Sequence, residues 1–472
     1  MSFQDPKHYD LISIGSGEAG KYIAWTLASK RWKCAVVERE YYGGSCPNVA
    51  CLPSKNVIHS AKIASLAPVQ RQLFGLTLNG DENVDMLAVR KRKEGMIDGL
   101  MELHHTMFDK TEVPLLSGTG RLVGPKMVEV TSKDGTITTL KADKIVLCNG
   151  STAAVPNIPG LKDARPLTHV EMLNIAEVPK HLLVLGGGYV GLEFAQAMKR
   201  LGSQVTVIEP SARILKREDV DVVSCVQGVL EAEGVVFATG TTVTEVSGKS
   251  GEAVIMHCSR DGSVFTIEGS HILVATGRVP NTSDIGASTA GVKLTESGHF
   301  EVDEHNRTSV EGIFAVGDCA GSPYFTHIGF DDFRIVRDVL LCKPSNANRR
   351  SGRQVPFTLF TDPEVAHIGL REHEAKAQGT AYRLTKIPMT AFLRTRTLDE
   401  SFGFAKALIA EDDTILGFTA VGPGAGELLP VVQLAMKKGL PYTDIAELVI
   451  THPTLSEGLV SLFGSVPARE KS

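Results

Sequence analysis

The chain has 472 residues, 43% of them hydrophobic and 22% charged, with a formal net charge of -5. That length exceeds what one hydrophobic core serves, so three or more packed domains of ordinary soluble composition are expected. The mild acidity argues against nucleic acid or an anionic membrane as partner, no apolar run approaches the ~20 residues of a membrane span, and the polar start Met1–Tyr9 is not a signal peptide, which makes the protein an expected cytoplasmic one.

In chain order, the apolar run Tyr9–Ile14 reads as a strand. Gly15-Ser16-Gly17-Glu18-Ala19-Gly20 follows, then a helical stretch Lys21–Ser29 and a second apolar run, Cys34–Val37, ending at Glu38. The first glycine suits a tight turn from strand to helix, the second lets a pyrophosphate approach the backbone, and the third lets helix and strand pack closely. The helix N-terminus offers N–H groups to phosphate, and the acid accepts ribose hydroxyls. The whole pattern returns as Leu182–Leu185, Gly186-Gly187-Gly188-Tyr189-Val190-Gly191, a helix through Arg200, and Gln204–Ile208 ending at Glu209. The acid stands at the same spacing past the third glycine in both copies. Two complete units predict two dinucleotide sites.

Directly after the first unit comes Gly43-Gly44-Ser45-Cys46-Pro47-Asn48-Val49-Ala50-Cys51-Leu52-Pro53-Ser54-Lys55. Two cysteines five apart are not a zinc ligand set, and no metal site is expected. They meet only if a helix start is distorted, which Pro47 supports, and a helix N-terminus lowers thiol pKa. The other six cysteines, Cys34, Cys148, Cys225, Cys258, Cys319 and Cys342, read as small apolar core residues. Further on, Val84–Phe108 reads as a polar helix, and Leu115–Leu122 and Lys126–Thr131 as strands. Asp143–Cys148 reads as a buried strand ending in Asn149-Gly150-Ser151, and His271–Thr276 as another ending in Gly277-Arg278. Ile313–Val316 runs into Gly317-Asp318. Asn346–Gln354 reads as a linker, and the remainder from Val355 as a separate domain.

As an ordered set, the two glycine motifs, the Cys46–Cys51 segment, Ala275-Thr276-Gly277-Arg278, Phe314-Ala315-Val316-Gly317-Asp318 and His452-Pro453-Thr454-Leu455-Ser456-Glu457 resemble the FAD-dependent pyridine nucleotide–disulfide oxidoreductases. That family includes dihydrolipoamide dehydrogenase, glutathione reductase, mercuric reductase and bacterial flavoproteins linked to reactive-chlorine resistance. The likeness covers nearly the whole chain. It implies an α/β fold with two Rossmann-like dinucleotide-binding domains and a C-terminal α+β dimerisation domain. The expected divisions are 1–150 for FAD, 151–276 for NAD, 277–345 for the second part of the FAD unit, and 346–472 for dimerisation.

The resemblance also implies roles. Cys46 is the expected interchange thiol and Cys51 the thiolate that faces the flavin. Lys55 is expected near the flavin ring, paired with Glu193, and Tyr189 over the nicotinamide pocket. FAD is expected along Gly15, Gly17, Gly20, Glu38, Gly44, Ser45, Lys55, Gly120, Ser151, Gly317 and Asp318. NAD is expected on Gly186, Gly188, Gly191, Glu209, Gly277 and Arg278. His452 and Glu457 form an acid–base pair, since a carboxylate fixes the tautomer of a histidine and raises its basicity. In the resembling enzymes that pair comes from the partner subunit, which implies a homodimer. Glu209 repels a 2′-phosphate and so favours NADH over NADPH, with Arg213 and Lys216 nearby to soften the preference.

The expected acceptor is a small disulfide or dithiol, with dihydrolipoamide first. Two departures from the lipoamide pattern, Ile450 and the stretch Phe325–Arg334, lean toward the mercuric-reductase-like and oxidant-resistance members. The chain ends Pro467-Ala468-Arg469-Glu470-Lys471-Ser472 without the C-terminal cysteine pair of mercury reduction. The joint presence of both cysteines and the histidine–glutamate pair argues against a non-catalytic flavoprotein and against a flavin reductase without thiols.

Overall fold

The computed structural model describes residues 6–73, 84–343 and 349–469. The strand Lys7–Ile14 lies at the heart of the first sheet, between Cys34–Glu38 and Ile137–Leu147, with Leu115–Ser117 at one edge. Leu11, Ile12, Ala35 and Val36 are fully buried, the near-continuous apolar run of a parallel strand covered on both faces. Ile137–Leu147 is longer than the expected Asp143–Cys148. Its first half pairs antiparallel with Met127–Thr131, and its last residues pair parallel with Ile313–Ala315. The expected strand Leu115–Leu122 is two strands, Leu115–Ser117 and Thr119–Gly124, because the chain turns at Gly118 with φ of 157°.

A second parallel sheet of four strands runs in the order Val236–Thr239, Gln204–Glu209, His181–Leu185, His271–Val274. A three-stranded antiparallel sheet, Thr242–Gly248, Val254–Arg260 and Ser263–Gly269, covers it. Between the two nucleotide-binding units the chain crosses twice, as Ser151–Ala153 and Arg278–Pro280, and these two short strands pair antiparallel.

The C-terminal part is a five-stranded antiparallel sheet, in the order Phe357–Leu359, Glu364–Gly369, Ile415–Gly422, Phe404–Ile409, Arg383–Pro388. One face carries the helix Ala425–Lys438, which buries Leu428, Leu429 and Val432. Leu359, Val365, Phe404 and Val421 join a core shared with Val57 and Ala61 of the helix Cys51–Leu73 and Leu192 of the helix Tyr189–Arg200. The three units therefore share packed interior.

Two expectations are corrected here. The described part of the expected linker is tied down: Arg353 donates to the buried Asp332 carboxylate at 2.6 Å, and Arg350 to Asn306 Oδ1 at 2.7 Å. Its guanidiniums find fixed acceptors, so the segment packs on the core; residues 346–348 of that stretch lie outside the described ones. Of the six cysteines expected in the core, Cys34, Cys258 and Cys319 are buried, Cys148 and Cys225 are partly exposed, and Cys342 is exposed at a positive φ of 51°.

Candidate active site

The turn Gly15–Gly20 is as tight as its glycines require. A Cβ on Gly15, at φ of +100°, would lie 2.2 Å from the Cys148 carbonyl oxygen, and one on Gly20 would lie 2.4 Å from the Gly15 oxygen. The second copy is the same device. A Cβ on Gly186 would come within 2.5 Å of the Ala275 oxygen, and one on Gly191 within 2.1 Å of the Gly186 oxygen. Each acid at the end of the second strand reaches back to its glycine loop. Glu38 accepts from the Ser16 amide and hydroxyl at 2.9 and 2.7 Å, and Glu209 from the Gly187 amide at 2.8 Å. Arg213 turns onto the Lys216 carbonyl at 3.2 Å, close to that second acid in sequence.

A cavity of about 1590 Å³ starts at the first glycine turn. Gly15, Gly17, Glu38, Gly44, Ser45, Gly120, Ser151, Gly317 and Asp318 line it, together with Cys46, Cys51, Lys55, Tyr189 and Glu193. Sequence positions from 15 to 318 thus converge on one space. The residues present fit a flavin dinucleotide. Gly44, at φ of 90°, sits where a Cβ would lie 2.6 Å from the Gly17 Cα, so backbone alone forms that wall. Asn149, on the same wall, keeps a buried side-chain oxygen with no partner among the described residues.

The thiols occupy the middle of the wall. Cys46 lies in the short helix Ser45–Val49 and Cys51 opens the helix Cys51–Leu73. The break expected at Pro47 falls instead at Ala50, whose φ of -134° and ψ of -104° are non-helical. That break replaces the ordinary helical offset of residues five apart, and each thiol shifts the titration of the other. Cys51 is pulled down to about 6, chiefly by the hydrogen bond from the Cys46 thiol, against the upward push of burial, with help from Thr326 and the Lys55 charge. Cys46 moves the other way, held protonated by the same hydrogen bond and by burial. Thr326 Oγ1 stands 3.3 Å from Cys51 Sγ, at the start of the helix Thr326–Leu340, so a second helix N-terminus faces that sulfur.

Lys55 Nζ meets Glu193 Oε2 at 2.7 Å, the expected pair. Glu193 is buried, and its other oxygen accepts from the Phe360 amide at 3.0 Å, while the lysine lies 4.7 Å over the Phe360 ring. On the cavity wall Ser151 donates to Asp318, and behind it Asp332, fully buried, accepts from the Gly317 amide at 2.7 Å and so fixes the loop that carries Asp318. Burial raises the Asp318 carboxyl.

Some expected groupings differ. Arg278, expected with NAD, donates to Ser151 Oγ and its carbonyl oxygen, both at 2.7 Å, because its strand pairs with Ser151–Ala153. It therefore stands among the residues expected along the flavin. Gly186, Gly188, Gly191, Glu209 and Gly277 do not line the large cavity, whereas Tyr189 at the helix start does. His452 Nδ1 lies 3.0 Å from both Glu457 oxygens, as the pairing requires, yet neither residue lines the cavity that holds the thiols. Thr326, Asp332, Glu218 and Arg371 are absent from the expected set; Thr326 reaches Cys51 across 275 positions and Arg371 reaches Glu218 across 153, while Asp332 bonds Gly317 and Arg353 only 15 and 21 positions away. Among the described residues no helix is long and apolar enough to cross a membrane, and no group of three His, Cys, Asp or Glu side chains is poised for a metal.

Comparison with known proteins agrees with this geometry. Residues 9–332 match the family model of the pyridine nucleotide-disulphide oxidoreductases, and residues 355–463 match that family's dimerisation domain. Mitochondrial dihydrolipoyl dehydrogenase of Dictyostelium discoideum is 34% identical over 97% of this chain and 94% of its own. The probable pyridine nucleotide-disulfide oxidoreductase RclA of Escherichia coli is 30% identical over 97% and 99%. A solved structure of a Cu(II) complex of the HOCl-induced flavoprotein disulfide reductase RclA from Escherichia coli superposes with a TM-score of 0.88, covering 98% of this chain and 99% of that one at 29% identity. The chain belongs to the pyridine nucleotide-disulphide oxidoreductases: it has the mixed α/β fold of a flavoprotein disulfide reductase, carries the family's dimerisation domain, and is an enzyme of the class that works with FAD and a nicotinamide nucleotide.

Proposed function

We propose that this enzyme is a cytoplasmic homodimer that relays electron pairs between NADH, FAD and the Cys46–Cys51 pair, acting on a small disulfide or dithiol in the manner of dihydrolipoamide dehydrogenase. The observation that carries the reading is the placement of Cys46 and Cys51 on one cavity wall, either side of the Ala50 break and beside the Lys55–Glu193 ion pair. FAD, when bound, supplies the two-electron exchange between nicotinamide and sulfur. The chain's residues do the rest. Gly15, Gly17, Gly20, Glu38, Gly44, Ser45, Gly120, Ser151, Gly317 and Asp318 hold the cofactor, with residues 1–150 and 277–345 as its unit. Residues 151–276 hold NAD on Gly186, Gly188 and Gly191, with Gly277 just beyond them, and Glu209 accepts the ribose 2′-hydroxyl and so prefers NADH. Cys46 exchanges with the substrate, and Cys51 stays as the inner thiolate under the charge of Lys55. His452 of the partner subunit, oriented by Glu457, takes and returns the proton of the exchanging thiol; residues 346–472 bring the two subunits together for this.

Anaerobic titration with NADH tests the reading. The expected result is a long-wavelength absorbance at half reduction that is lost in Cys51→Ser. Direct bleaching to reduced flavin without that absorbance overturns it. A second reading, reduction of a metal ion or an oxidant, draws on the Phe325–Arg334 stretch and on the Cu(II) complex formed by the structural relative. A soft ion binds thiolate tightly. Turnover of lipoamide supports the first reading; turnover of Hg²⁺ or Cu²⁺ with none of lipoamide or glutathione disulfide supports the second.

A further inference from the structure

Tyr189 follows the second glycine turn directly and lines the same cavity as Cys51, Lys55 and Glu193. Its hydroxyl donates to Glu218 Oε1 at 2.6 Å. Glu218 is only 1% exposed, and Arg371 grips both of its oxygens at 2.9 and 3.0 Å. The Arg371 guanidinium lies 5.4 Å over the Phe357 ring, and that ring stacks on Tyr189 with centroids 5.2 Å apart and planes at 22°. The four side chains close a circuit. Two come from the second nucleotide-binding unit, and two, Phe357 and Arg371, from the C-terminal sheet and the turn after it. Burial and the Glu218 charge push the phenol of Tyr189 up, so it remains a donor.

We propose that Glu218 and Arg371 are positioning residues that tether Tyr189 across the entry to the nicotinamide pocket, so that the C-terminal unit sets how readily a nicotinamide ring gains access. The proposal rests on the nicotinamide reading of Tyr189 given above. A flat ring that enters beside Glu193 displaces the tyrosine, and displacement breaks a charge-assisted hydrogen bond and a ring stack. The apparent Kd is then the intrinsic Kd divided by the small fraction of enzyme with the tyrosine released. Loss of the hydroxyl alone removes most of that cost and leaves the Glu218–Arg371 pair intact.

The test is calorimetric binding of NAD⁺ and of ADP-ribose, which lacks the nicotinamide ring, to the FAD-loaded enzyme. In Tyr189→Phe the Kd for NAD⁺ is expected to fall about tenfold, the worth of one hydrogen bond to a charged group, while the Kd for ADP-ribose stays put. Glu218→Gln is expected to move the NAD⁺ value in the same direction, with no further gain when added to Tyr189→Phe. An unchanged NAD⁺ value in Tyr189→Phe, or an equal change for both ligands, overturns the tether. A wild-type enzyme that binds neither ligand overturns the nicotinamide reading beneath it.

Discussion

At Cys51 the balance between burial and polar partners decides the chemistry. Burial alone raises a thiol; the Cys46 hydrogen bond, the Thr326 hydroxyl and the Lys55 charge reverse it and bring the thiol to about 6. In the two-electron reduced enzyme the thiolate is therefore the form present above that value, and its long-wavelength absorbance should fade as pH drops through about 6. Thr326→Val removes one donor without changing the fold of its helix. Its midpoint should rise, by about one pH unit for a lost hydrogen bond of ordinary strength, and spectrophotometric titration reads it directly; an unmoved midpoint denies Thr326 the role. The thiol pair was legible in the sequence because both cysteines lie in one short segment. Thr326 was not, because it stands 275 residues from Cys51 and only the folded sheet brings its helix there. Glu218 and Arg371, 153 residues apart, escaped for the same reason.

Elements show the same division between local and distant causes. The glycine turns are set by steric limits within a few residues, so each motif announced its strand, turn and helix. Gly15→Ala tests the limit: a Cβ 2.2 Å from a backbone oxygen, at a φ that L-residues avoid, forces the turn open. The purified variant should be colourless, with FAD lost and far-ultraviolet circular dichroism retained; a yellow, fully loaded variant would show that the turn tolerates the shift. Spacing alone placed the break between the cysteines at Pro47, whereas it falls at Ala50, since proline tolerates the first turn of a helix. It also gave no sign that Arg278 bonds Ser151, because the antiparallel pairing of Arg278–Pro280 with Ser151–Ala153 is a property of two segments, each unremarkable alone.

For the molecule as a whole, the exposed His452, paired with a half-buried Glu457 away from the cavity of its own chain, argues for sites completed between subunits. Co-expression tests this. Cys46→Ser and His452→Gln homodimers should each be inactive or nearly so. A mixed dimer has one site with an intact cysteine from one chain and an intact histidine from the other. Equal mixing should restore about a quarter of wild-type activity, from random pairing in a two-fold dimer. Sites built within single chains would show no recovery.

Thr152 and Val279 face each other across the pair of crossing strands. The chain thus leaves the flavin-side sheet and returns to it through a single doorway, and everything between is a guest whose two ends touch. The strand order of the host sheet is set without the guest: Ile313–Ala315 comes back to pair with the same strand, Ile137–Leu147, that the chain left. A guest of this kind can be exchanged for its counterpart in a relative without rethreading the host. Grafting residues 154–277 from an NADPH-using relative should carry the donor's coenzyme preference with it, while the choice of disulfide, proposed above to be made at Cys46 in the host, should stay with the recipient. Steady-state specificity for both coenzymes and both disulfides measures the two traits separately, and a graft that altered the disulfide preference would show that the two halves of the reaction are not inherited apart.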